Sequence, residues 1–582
     1  MVERTRELDP RSVGIGKRIA DLAFAEVDGS KGRLSDYADR KALVITMRQV
    51  GCPVSERYSP RLARLEKEFG QRGVSFLFVN ADTYLSPEEV RGEVETHGFV
   101  GRYVHDKDEL FVETLGADTT TTVFVLDASR TLRYRGAIDD QIARGTTLPE
   151  PSQRYLRNAL ESVLANTPVA IAATSAPGCA LGAEITPKLS VPKDVTYHAD
   201  VARILQSSCV ECHRKGGAAP FSLDGFKNAH KRRRMMRIVV RDEIMPPWLA
   251  DEGTGPWLNE RRLSESDRDT LLAWVENGAP EGDPADGPVP IAWQEGWVIG
   301  KPDYVFQLYE EKTIPADGVI EWDPILADVE VPYDMWVQGL QVLPTDPEVV
   351  HHATVTFLPP RDYGKTTVDA LMARLLPWTK RYEGWQFLFG YLPGKGPRKY
   401  ADDVARFLPK GSKIKFDMHY TPKGRETRDR TRLGVTLAKE PPQFAAQTRM
   451  IRNWKVRIPP HGKDVQFTQV YTLPNDVLLR SLVPHMHYRG HIFHADLLRP
   501  DGTEETLIRI PEWNPDWQFS YVFREPPYAP KGSKIRITGW FDNTADNPFN
   551  PDPTQWVEDG PQIWEEMLMM ATEWIRPRQL DG

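Results

Sequence analysis

The sequence predicts a multidomain protein with an α/β domain, a small all-α domain and then two all-β antiparallel sandwich subdomains. The chain has 582 residues, which is too long for one hydrophobic core. Apolar strands alternate with helical patterns near the N-terminus, and a short helical stretch follows. The second half consists of short strand patterns separated by Pro, Gly, Asn and Asp. We expect domains at residues 1–175, 197–283, 284–440 and 441–582, with a linker at 176–196.

The composition excludes several classes of function. The 82 acidic and 74 basic residues give a net charge of −8, so nucleic acid and anionic membranes are not expected partners. No apolar run approaches the roughly 18 residues of a transmembrane helix, and the N-terminus has no apolar signal core. Only four cysteines are present, which predicts redox, metal or haem chemistry rather than a disulfide framework. They are Cys52, Cys179, Cys209 and Cys212.

The first block reads as an α/β domain with a central sheet. Its order is "ALVITM", then "SERYSPRLARLEKEFGQRG", then "VSFLFVNA" and later "TVFVLDASRTLRYRG". Cys52 stands where the first of these strands ends and the first helix begins. A helix N-terminus lowers the pKa of a thiol, so this position favours the thiolate.

The segments "GCPVS", "TTVFVLD" and "YRGAIDD" resemble the thioredoxin/redoxin superfamily over roughly the first 165 residues. The resemblance implies a thioredoxin-like fold with thiol chemistry at Cys52. Ser55 stands at the second cysteine of the C-x-x-C motif, Thr121 at the usual cis-proline, and Gln49 where a peroxidatic motif has threonine. A functional thiol and a retained scaffold therefore both stay open. Cys179 in "APGCALG" is a candidate partner for Cys52, although the sequence does not fix their separation.

The second block contains a C-x-x-C-H motif at Cys209, Cys212 and His213. Two thiols at this spacing add to the vinyl groups of haem, and the histidine then ligates the iron. A zinc site would need a second closely spaced pair, and the sequence has no other C-x-x-C. We predict Met245 in "RDEIMPPWLADEG" as the sixth iron ligand, with His230 as a competing ligand.

The stretch from Tyr197 to about Gly282 resembles the small class I cytochrome c domains that are appended to bacterial multidomain proteins. The resemblance implies a cytochrome c-like all-α domain with a covalently attached haem c. Haem c is attached outside the cytoplasm, so we expect a periplasmic or otherwise exported protein. Its export signal would have been removed or lie outside this sequence.

The third block contains two alternating histidines in "PHMHYRG", a segment with the pattern of a strand. Side chains alternate along a strand, so His485 and His487 share a face while Met486 points to the other. Two imidazoles placed in this way can converge on one metal ion at about 2 Å each. The pair is therefore a candidate metal site that needs further ligands.

Other predicted strands of the third block supply those ligands. Adjacent histidines such as His351 and His352 reach one metal only at a strand end or a bulge. Imidazoles suit copper, a thioether favours Cu(I), and zinc does not use methionine. The two predicted copper sets are His351, His352 and His419, and then His485, His487 and Met567.

In the order "HHATVTF", "MHY", "HMHYRG" and "EEM", these residues resemble the copper type II, ascorbate-dependent monooxygenases over roughly residues 300–575. This is the family of peptidylglycine α-hydroxylating monooxygenase and dopamine β-monooxygenase. The resemblance implies jelly-roll-like sandwiches that face each other, with an electron-storing copper at the first set and an O₂-activating copper at the second. Met569 or Met570 is an alternative to Met567 as the thioether ligand.

Joined together, these blocks predict a copper-dependent monooxygenase that hydroxylates a C–H bond of a small-molecule or peptide substrate. Its electrons would come from ascorbate or a periplasmic donor through haem c. One alternative is a non-enzymatic copper- and haem-binding protein that acts in electron transfer or sensing. The other is a redoxin-type thiol oxidoreductase centred on Cys52, with the other domains appended.

Overall fold

The computed structural model describes residues 5–81, 85–143, 146–148, 150–181, 194–321, 323–360, 386–392 and 396–577. Within these residues the chain forms an α/β domain, a helical segment and a large β-rich region with mainly antiparallel sheets. The predicted α/β domain and the predicted antiparallel β region are both confirmed. None of the described helices is long and apolar enough to cross a lipid bilayer.

The α/β domain is built on a five-stranded sheet. Its elements are β1 (Ala23–Ala25), β2 (Lys31–Arg33), a 3-10 helix (Leu34–Tyr37), β3 (Ala42–Arg48), α1 (Pro53–Gly70), β4 (Val74–Asn80), α2 (Pro87–His97), β5 (Arg102–His105), α3 (Leu110–Leu115), β6 (Val123–Asp127), β7 (Leu132–Gly136), β8 (Ile142–Ala143), β9 (Thr146–Thr147) and α4 (Tyr155–Leu164). The strand order is β5-β4-β3-β6-β7. The strands β3, β4 and β5 are parallel to one another, β6 is antiparallel to β3, and β7 is antiparallel to β6. All seven residues of β3 are buried, as expected for a central strand covered on both faces.

Helices cover both faces of this sheet. The apolar sides of α1 and α4 pack on one face through residues such as Phe69 and Leu156. The other face is covered by α3, through Phe111, and by the N-terminal segment, through Leu22. This layering places the N-terminus of α1 at the edge of the sheet where β3 ends.

The helical segment has its own small core. It contains a π-helix (Tyr197–Val201), α5 (Ala202–Ser208), α6 (Phe226–Arg241), α7 (Glu265–Glu276) and a 3-10 helix (Pro284–Asp286). These helices pack around the fully buried Trp274 and its neighbours. The likeness of this segment to cytochrome c stays a prediction.

The β-rich region contains one ten-stranded sheet and two four-stranded sheets. Its strands are β10 (Tyr304–Gln307), β11 (Lys312–Ile314), β12 (Asp323–Leu326), β13 (Met335–Leu343), β14 (Val350–Leu358), β15 (Gln386–Tyr391), β16 (Arg398–Lys399), β17 (Val404–Leu408), β18 (Lys413–Tyr420), β19 (Thr427–Asp429), β20 (Arg432–Leu437), β21 (Phe444–Asn453), β22 (Arg457–Ile458), β23 (Val465–Thr472), β24 (Val477–His485), β25 (Gly490–Leu498), β26 (Glu504–Ile510), β27 (Tyr521–Val522), β28 (Tyr528–Ala529), β29 (Lys534–Phe541), β30 (Val557–Glu558) and β31 (Leu568–Pro577). The large sheet has the order β10-β20-β13-β17-β21-β31-β24-β27, with β16 paired to β13 and β28 paired to β24. The small sheets are β12-β18-β14-β15 and β23-β29-β25-β26.

Two hydrophobic cores lie in this region, as two sandwiches would require. The ten-stranded sheet nevertheless runs through both halves, because β17 pairs with β21 in parallel at Val404–Phe444 and Ala405–Ala445. The sequence did not indicate this junction. His485 ends β24 of this large sheet, whereas His351, His352 and His419 lie on β14 and β18 of a separate four-stranded sheet.

The loop after α6 packs into the hydrophobic core of the C-terminal strands β21–β31, which we call the second β core. Ala250 and Trp257 are buried there, among residues of the C-terminal strands. The Trp257 ring lies 4.8 Å from that of Phe523, and the Trp248 ring lies 4.9 Å from that of Tyr521, between ring centres. The helical segment is thereby fixed against the β region.

Candidate functional site

Cys52 lies in the turn that joins β3 to α1. The Cys52 N–H donates to the Gln49 carbonyl at 3.0 Å, which closes a four-residue turn. Gly51 has a φ of +70°, a conformation that glycine adopts without steric cost. Cys52 is the N-cap residue of α1 and Pro53 opens the helix, where its missing N–H costs no hydrogen bond. This is the position that the sequence predicted.

The structure brings Cys179 against Cys52. The Cys179 Sγ donates to the Cys52 Sγ at 3.1 Å, and both side chains are buried, at 0% and 7% exposure for Cys52 and Cys179. The Thr120 hydroxyl lies 3.0 Å from the Cys52 Sγ and accepts the Cys179 N–H at 3.0 Å. The two sulfurs and this hydroxyl form one buried cluster, which we call the thiol pair site.

The thiol pair site lowers the pKa of Cys52. Burial acts to raise this pKa, but hydrogen bonds from Cys179, Thr120 and the Ser55 N–H outweigh it and bring the pKa to about 6. Each of these donors stabilises the thiolate more than the thiol. Cys52 is therefore a thiolate at neutral pH, the form that acts as a nucleophile.

At two of the three departures from the thioredoxin motif the side chain forms a hydrogen bond, and at the third, Gln49, the backbone N–H does. The Ser55 hydroxyl donates to the Thr120 carbonyl at 3.2 Å, and the buried Thr121 hydroxyl donates to the Pro177 carbonyl. The Gln49 N–H lies 3.5 Å from the Ser55 hydroxyl. Among the described residues the cis peptide bonds precede Pro246 and Pro256, so Thr121 follows a trans bond.

The C-x-x-C-H motif begins at the C-terminal end of α5. Burial raises the pKa of Cys209 to about 12 and also raises that of Cys212, so both stay protonated thiols. The His213 Nδ1–H donates to the Phe221 carbonyl at 3.2 Å, and burial lowers the His213 pKa to about 4. A neutral imidazole oriented through Nδ1 leaves Nε2 as its ligand atom.

The two predicted axial ligands lie in different settings. Met245 follows α6, and its N–H donates to the Val239 carbonyl at 3.0 Å. His230 is buried inside the helical core, where its ring contacts Phe226 and Trp274 edge-on. This packing favours a core role for His230, and Met245 stays the predicted ligand.

The first histidine set comes together on two paired strands. His351 and His352 lie on β14, and His419 on β18 stands opposite His352. The strand register shifts between Val350 and His352, which is the irregularity that adjacent histidines require to share a face. The His351 and His352 Nδ1 atoms are 3.2 Å apart, and those of His352 and His419 are 3.4 Å apart.

These three imidazoles are neutral and fit a metal ion. One nitrogen from each ring lies within 4.8 Å of the others. Burial lowers the pKa to about 3 for His351 and about 4 for His419, and to well below its ordinary value for His352. Neutral imidazole is the form that binds metals. The Asp516 carboxylate lies 3.7 Å from the His351 Nε2, on the far side of that ring.

The second set has its ring orientation fixed by hydrogen bonds. The His485 Nδ1–H donates to the Gln518 side-chain oxygen at 2.5 Å, and the His487 Nδ1–H donates to the Glu565 carbonyl at 3.2 Å. Both Nε2 atoms are therefore acceptors, and they face each other at 3.2 Å. Burial lowers the pKa of His485 to about 4 and holds that of His487 well below its ordinary value. Two facing lone pairs with no proton between them are an arrangement that a cation can bridge.

The candidate thioether ligands are placed differently from one another. Met567 is buried just before β31, whereas Met569 stands directly opposite His485 in the β24–β31 pairing. Met570 is part of the second hydrophobic core, which removes it as a ligand. Residues opposite each other in antiparallel strands share a face, so Met569 stays open beside Met567.

Sequence reasoning missed the groups that support the second set. The fully buried Glu566 accepts the N–H groups of His487, Arg489 and Met567 and holds their loop. Gln518 is itself fixed, because its amide N–H donates to the Pro515 carbonyl at 3.0 Å. The only sequence signal was the "EEM" stretch, since a lone glutamine in a loop has no recognisable pattern.

The two sets interact electrostatically. Burial and the other two histidines of its own set are the main causes of the lowered pKa of His352, and protonation of His485 or His487 would lower it further. On α1, the charge of Arg57 adds to burial in lowering the pKa of His351 and opposes burial at Asp516. The N-terminal domain therefore abuts the histidine region.

The comparisons with known proteins concern the N-terminal part of the chain. The Redoxin family model matches residues 15–145. The chain is similar to a hypothetical protein from Sinorhizobium meliloti (22% identity, TM-score 0.28, 31% of this chain and 99% of that one). It is also similar to an uncharacterized conserved protein from Geobacillus kaustophilus (24% identity, TM-score 0.28, 32% of this chain and 98% of that one). A third similar structure is a peroxidoxin from Mycobacterium tuberculosis (16% identity, TM-score 0.22, 26% of this chain and 97% of that one). No curated protein matches significantly.

Residues 15–145 are therefore a redoxin domain with a thioredoxin-like fold, and this part of the sequence prediction is confirmed. The prediction of a copper-dependent, O₂-using monooxygenase is wrong. The family that matches this chain is Redoxin, at residues 15–145, and the comparisons give no support to a copper monooxygenase or a cytochrome c domain. The Redoxin match suggests oxidoreductase activity, and it agrees with the second alternative that the sequence left open.

Proposed function

We propose that this protein is a redoxin-type thiol–disulfide oxidoreductase in which Cys52 and Cys179 cycle between dithiol and disulfide. The observation that carries the proposal is the 3.1 Å separation of the two Sγ atoms in a buried site. Cys52 has the lowered pKa that a nucleophilic thiol needs. Cys179 replaces the second cysteine that Ser55 displaces from the usual motif.

In the reducing direction, the Cys52 thiolate attacks one sulfur of a substrate disulfide. A mixed disulfide forms, and the first substrate sulfur leaves as a thiolate that takes a proton from solvent. The Cys179 thiol then gives up its proton and its sulfur attacks the Cys52 sulfur, which forms the Cys52–Cys179 disulfide and releases the second substrate thiol with that proton. The substrate gains the two electrons that the cysteines lose; one of its two protons comes from solvent, because Cys52 enters as the thiolate, and the other comes from Cys179. The reverse sequence oxidises a substrate dithiol, and the relative reduction potentials set the direction.

Neighbouring groups support both steps. The Thr120 hydroxyl contacts the Cys52 Sγ and accepts the Cys179 N–H, so it keeps the two sulfurs in line. The N-terminus of α1 adds a partial positive charge beside the thiolate. The pKa values of Cys209 and Cys212 are raised, so these two residues are less often thiolates than Cys52. A thiol-specific reagent should therefore react first at Cys52.

The test is oxidation of the full chain with excess oxidised dithiothreitol or oxidised glutathione, followed by peptide mapping under non-reducing conditions. A disulfide that joins the peptides of Cys52 and Cys179 is the expected result. Cys52→Ala and Cys179→Ala should each abolish it, whereas Cys212→Ala should not. An unbridged Cys52 after complete oxidation of the sample would overturn the proposal.

The two histidine sets carry a second proposal, that each binds one copper ion. The residues fit: the first set offers three converging imidazole nitrogens, and the second offers two facing Nε2 atoms. The buried Met567 stays the predicted thioether ligand, and Met569 stands opposite His485. The holding residues are His351, His352 and His419, and then His485, His487 and Met567. Bound copper would supply one-electron redox chemistry at these positions.

Metal content after reconstitution with copper and desalting tests this second proposal. His352→Ala and His485→Ala should each lose about one copper per chain, since each removes a ligand from one set. His491→Ala changes an exposed histidine on β25 and should keep the wild-type content. Wild-type protein that retains no copper would refute it.

The C-x-x-C-H motif fits covalent haem, with Cys209 and Cys212 as attachment sites and His213 and Met245 as axial ligands. The hydrogen bond from His213 Nδ1 to the Phe221 carbonyl supports this, because it leaves Nε2 as the unprotonated ligand atom. Haem c attachment requires export, so we also place this protein outside the cytoplasm. When this protein is exported by a strain with haem-attachment machinery, its mass should increase by that of one haem. In Cys212→Ala the haem should be linked through Cys209 alone.

A further inference from the structure

The peptide group between Val50 and Gly51, directly before Cys52, is held on both sides. Its carbonyl accepts a hydrogen bond from the Arg232 Nη2 at 3.1 Å. Its N–H donates to the Glu56 carboxylate at 3.2 Å. Glu56 is fixed in turn by His97, whose Nε2 lies 2.7 Å from the other carboxylate oxygen.

Arg232 does not belong to the redoxin domain. It lies on α6 of the helical segment, with only 5% of its surface exposed, and its guanidinium stacks on the Phe221 ring at 4.8 Å. Phe221 is also the residue whose carbonyl accepts the His213 hydrogen bond. A single stacked guanidinium therefore touches the Cys52 turn on one side and the C-x-x-C-H loop on the other.

The approach of α6 to the Cys52 turn is close and specific. A Cβ atom on Gly51 would lie 3.1 Å from the Arg232 Nη2, so glycine here permits both the turn and the contact. A second arginine on the same helix, Arg234, forms a two-pronged ion pair with Glu109 at 2.8 and 3.0 Å. Arg234 fixes α6 to the redoxin domain without touching the turn that carries Cys52.

We propose that Arg232 is a positioning residue for Cys52, through which the docked helical segment sets the reactivity of the thiol pair. The inference rests on the proposed thiol–disulfide function. A peptide group in a tight turn can rotate at modest cost when its carbonyl is released. Holding the Val50 carbonyl keeps the turn in the form that aims the Cys52 Sγ at Cys179 and Thr120. Without Arg232 the Sγ spends less time beside these two donors, and the thiolate loses stabilisation.

Other charged groups around the turn are already engaged. The fully buried Arg48 donates to the Ser55 carbonyl and the Ser59 hydroxyl and pairs with Glu93. The oxygens of Glu56 and Glu93 and a nitrogen of His97 lie close enough to suggest a metal site, but the Arg48 guanidinium already supplies the positive charge. The hydrogen bonds that hold Cys179, Glu56, His97 and Arg48 do not involve Arg232, so we assign a change at Cys52 in an Arg232 variant to Arg232.

Arg232→Met removes the charge and the hydrogen-bond donors but keeps an unbranched side chain that can pack on the Phe221 ring. The measurement is the pH dependence of Cys52 alkylation in the full chain, read by peptide mass spectrometry, together with the reduction potential of the pair. The alkylation midpoint should rise by about one pH unit, a tenfold loss of thiolate relative to thiol below the midpoint. The reduction potential should become more negative by about 30 mV for the same factor.

Arg234→Met is the matched control, because it removes the ion pair that docks α6 and leaves the Val50 contact. Its midpoint and potential should stay at wild-type values, and Arg232→Lys, which keeps one donor, should fall between wild type and Arg232→Met. A wild-type midpoint in both Arg232 variants, or an equal shift in Arg234→Met, would overturn the inference. Formation of the Cys52–Cys179 disulfide is scored in every sample, so a pair that never oxidises in the wild type refutes the thiol–disulfide function separately.

Discussion

The Sγ atoms of Cys52 and Cys179 lie 3.1 Å apart although 127 positions separate the two residues in the sequence. The contact is built by the segment after α4, which returns across the Thr120 loop. The Thr120 N–H donates to the Cys179 carbonyl at 3.0 Å, and the Leu181 N–H donates to the Asp118 carbonyl at 2.8 Å. The thiol pair therefore belongs to a unit that extends beyond residues 15–145.

Replacing Cys179 with alanine should raise the pKa of Cys52. The hydrogen bond from the Cys179 thiol is the largest of the contributions that lower this pKa. Without it, the remaining hydrogen bonds offset less of the increase in pKa that burial causes. The alkylation rate of Cys52 as a function of pH measures the change, and its midpoint should move upward from about 6. Cys212→Ala provides the control with an unchanged midpoint. A midpoint that does not move in Cys179→Ala would mean that Thr120 and the helix N-terminus suffice.

Stability should depend on pH through Cys52. Its pKa in the folded state, about 6, is below that of an unfolded thiol, near 8.5. A lowered pKa stabilises the folded state fully above the unfolded pKa, and this contribution is lost as pH falls through about 6. The difference in unfolding free energy between wild type and Cys52→Ala should therefore grow from pH 5.5 to about pH 8.5. Chemical denaturation at a series of pH values measures it, with the exposed Glu113→Gln variant expected to run parallel to wild type. A constant difference across this range would contradict a thiolate in the folded protein.

Replacing Gln518 with leucine should weaken copper binding at the second histidine set by about 10–100-fold. Gln518 accepts the His485 Nδ1–H, and its loss frees the ring to rotate or change tautomer. Competition with a chelator of known affinity measures the effect, and the first set in the same protein serves as an internal reference. Gln466→Leu, an exposed change on β23, should leave both affinities unchanged. Equal affinity in Gln518→Leu and wild type would show that His487 and the thioether bind without this support.

The sequence predicted those features that depend on local patterns. The alternation of strands and helices predicted the redoxin domain, and the adjacency of His351 and His352 predicted the bulge that β14 contains. Cys179 was a candidate partner for Cys52, but their contact could not be derived from the sequence, because a chain that returns after more than a hundred residues leaves no periodic signal. For the same reason the sequence did not indicate the β17–β21 junction or the insertion of Trp257 into the β core. The monooxygenase reading relied on the order of short motifs, which predicts ligands but not a reaction.

Trp257 should be the main anchor that fixes the helical segment to the β region. Its side chain is 1% exposed and packs against Phe523 and Tyr521 of the second core, at 4.8 and 5.4 Å between ring centres. Trp257→Ala leaves a large cavity and should reduce the free energy of unfolding by about 3–5 kcal/mol. Trp454→Ala is the matched control, since Trp454 is 70% exposed and its loss should have only a small effect. Denaturant unfolding followed by tryptophan fluorescence and by far-UV circular dichroism measures both variants. If Trp257→Ala unfolded at the wild-type denaturant concentration, the contacts of α6 with the redoxin domain would be enough to hold the helical segment in place.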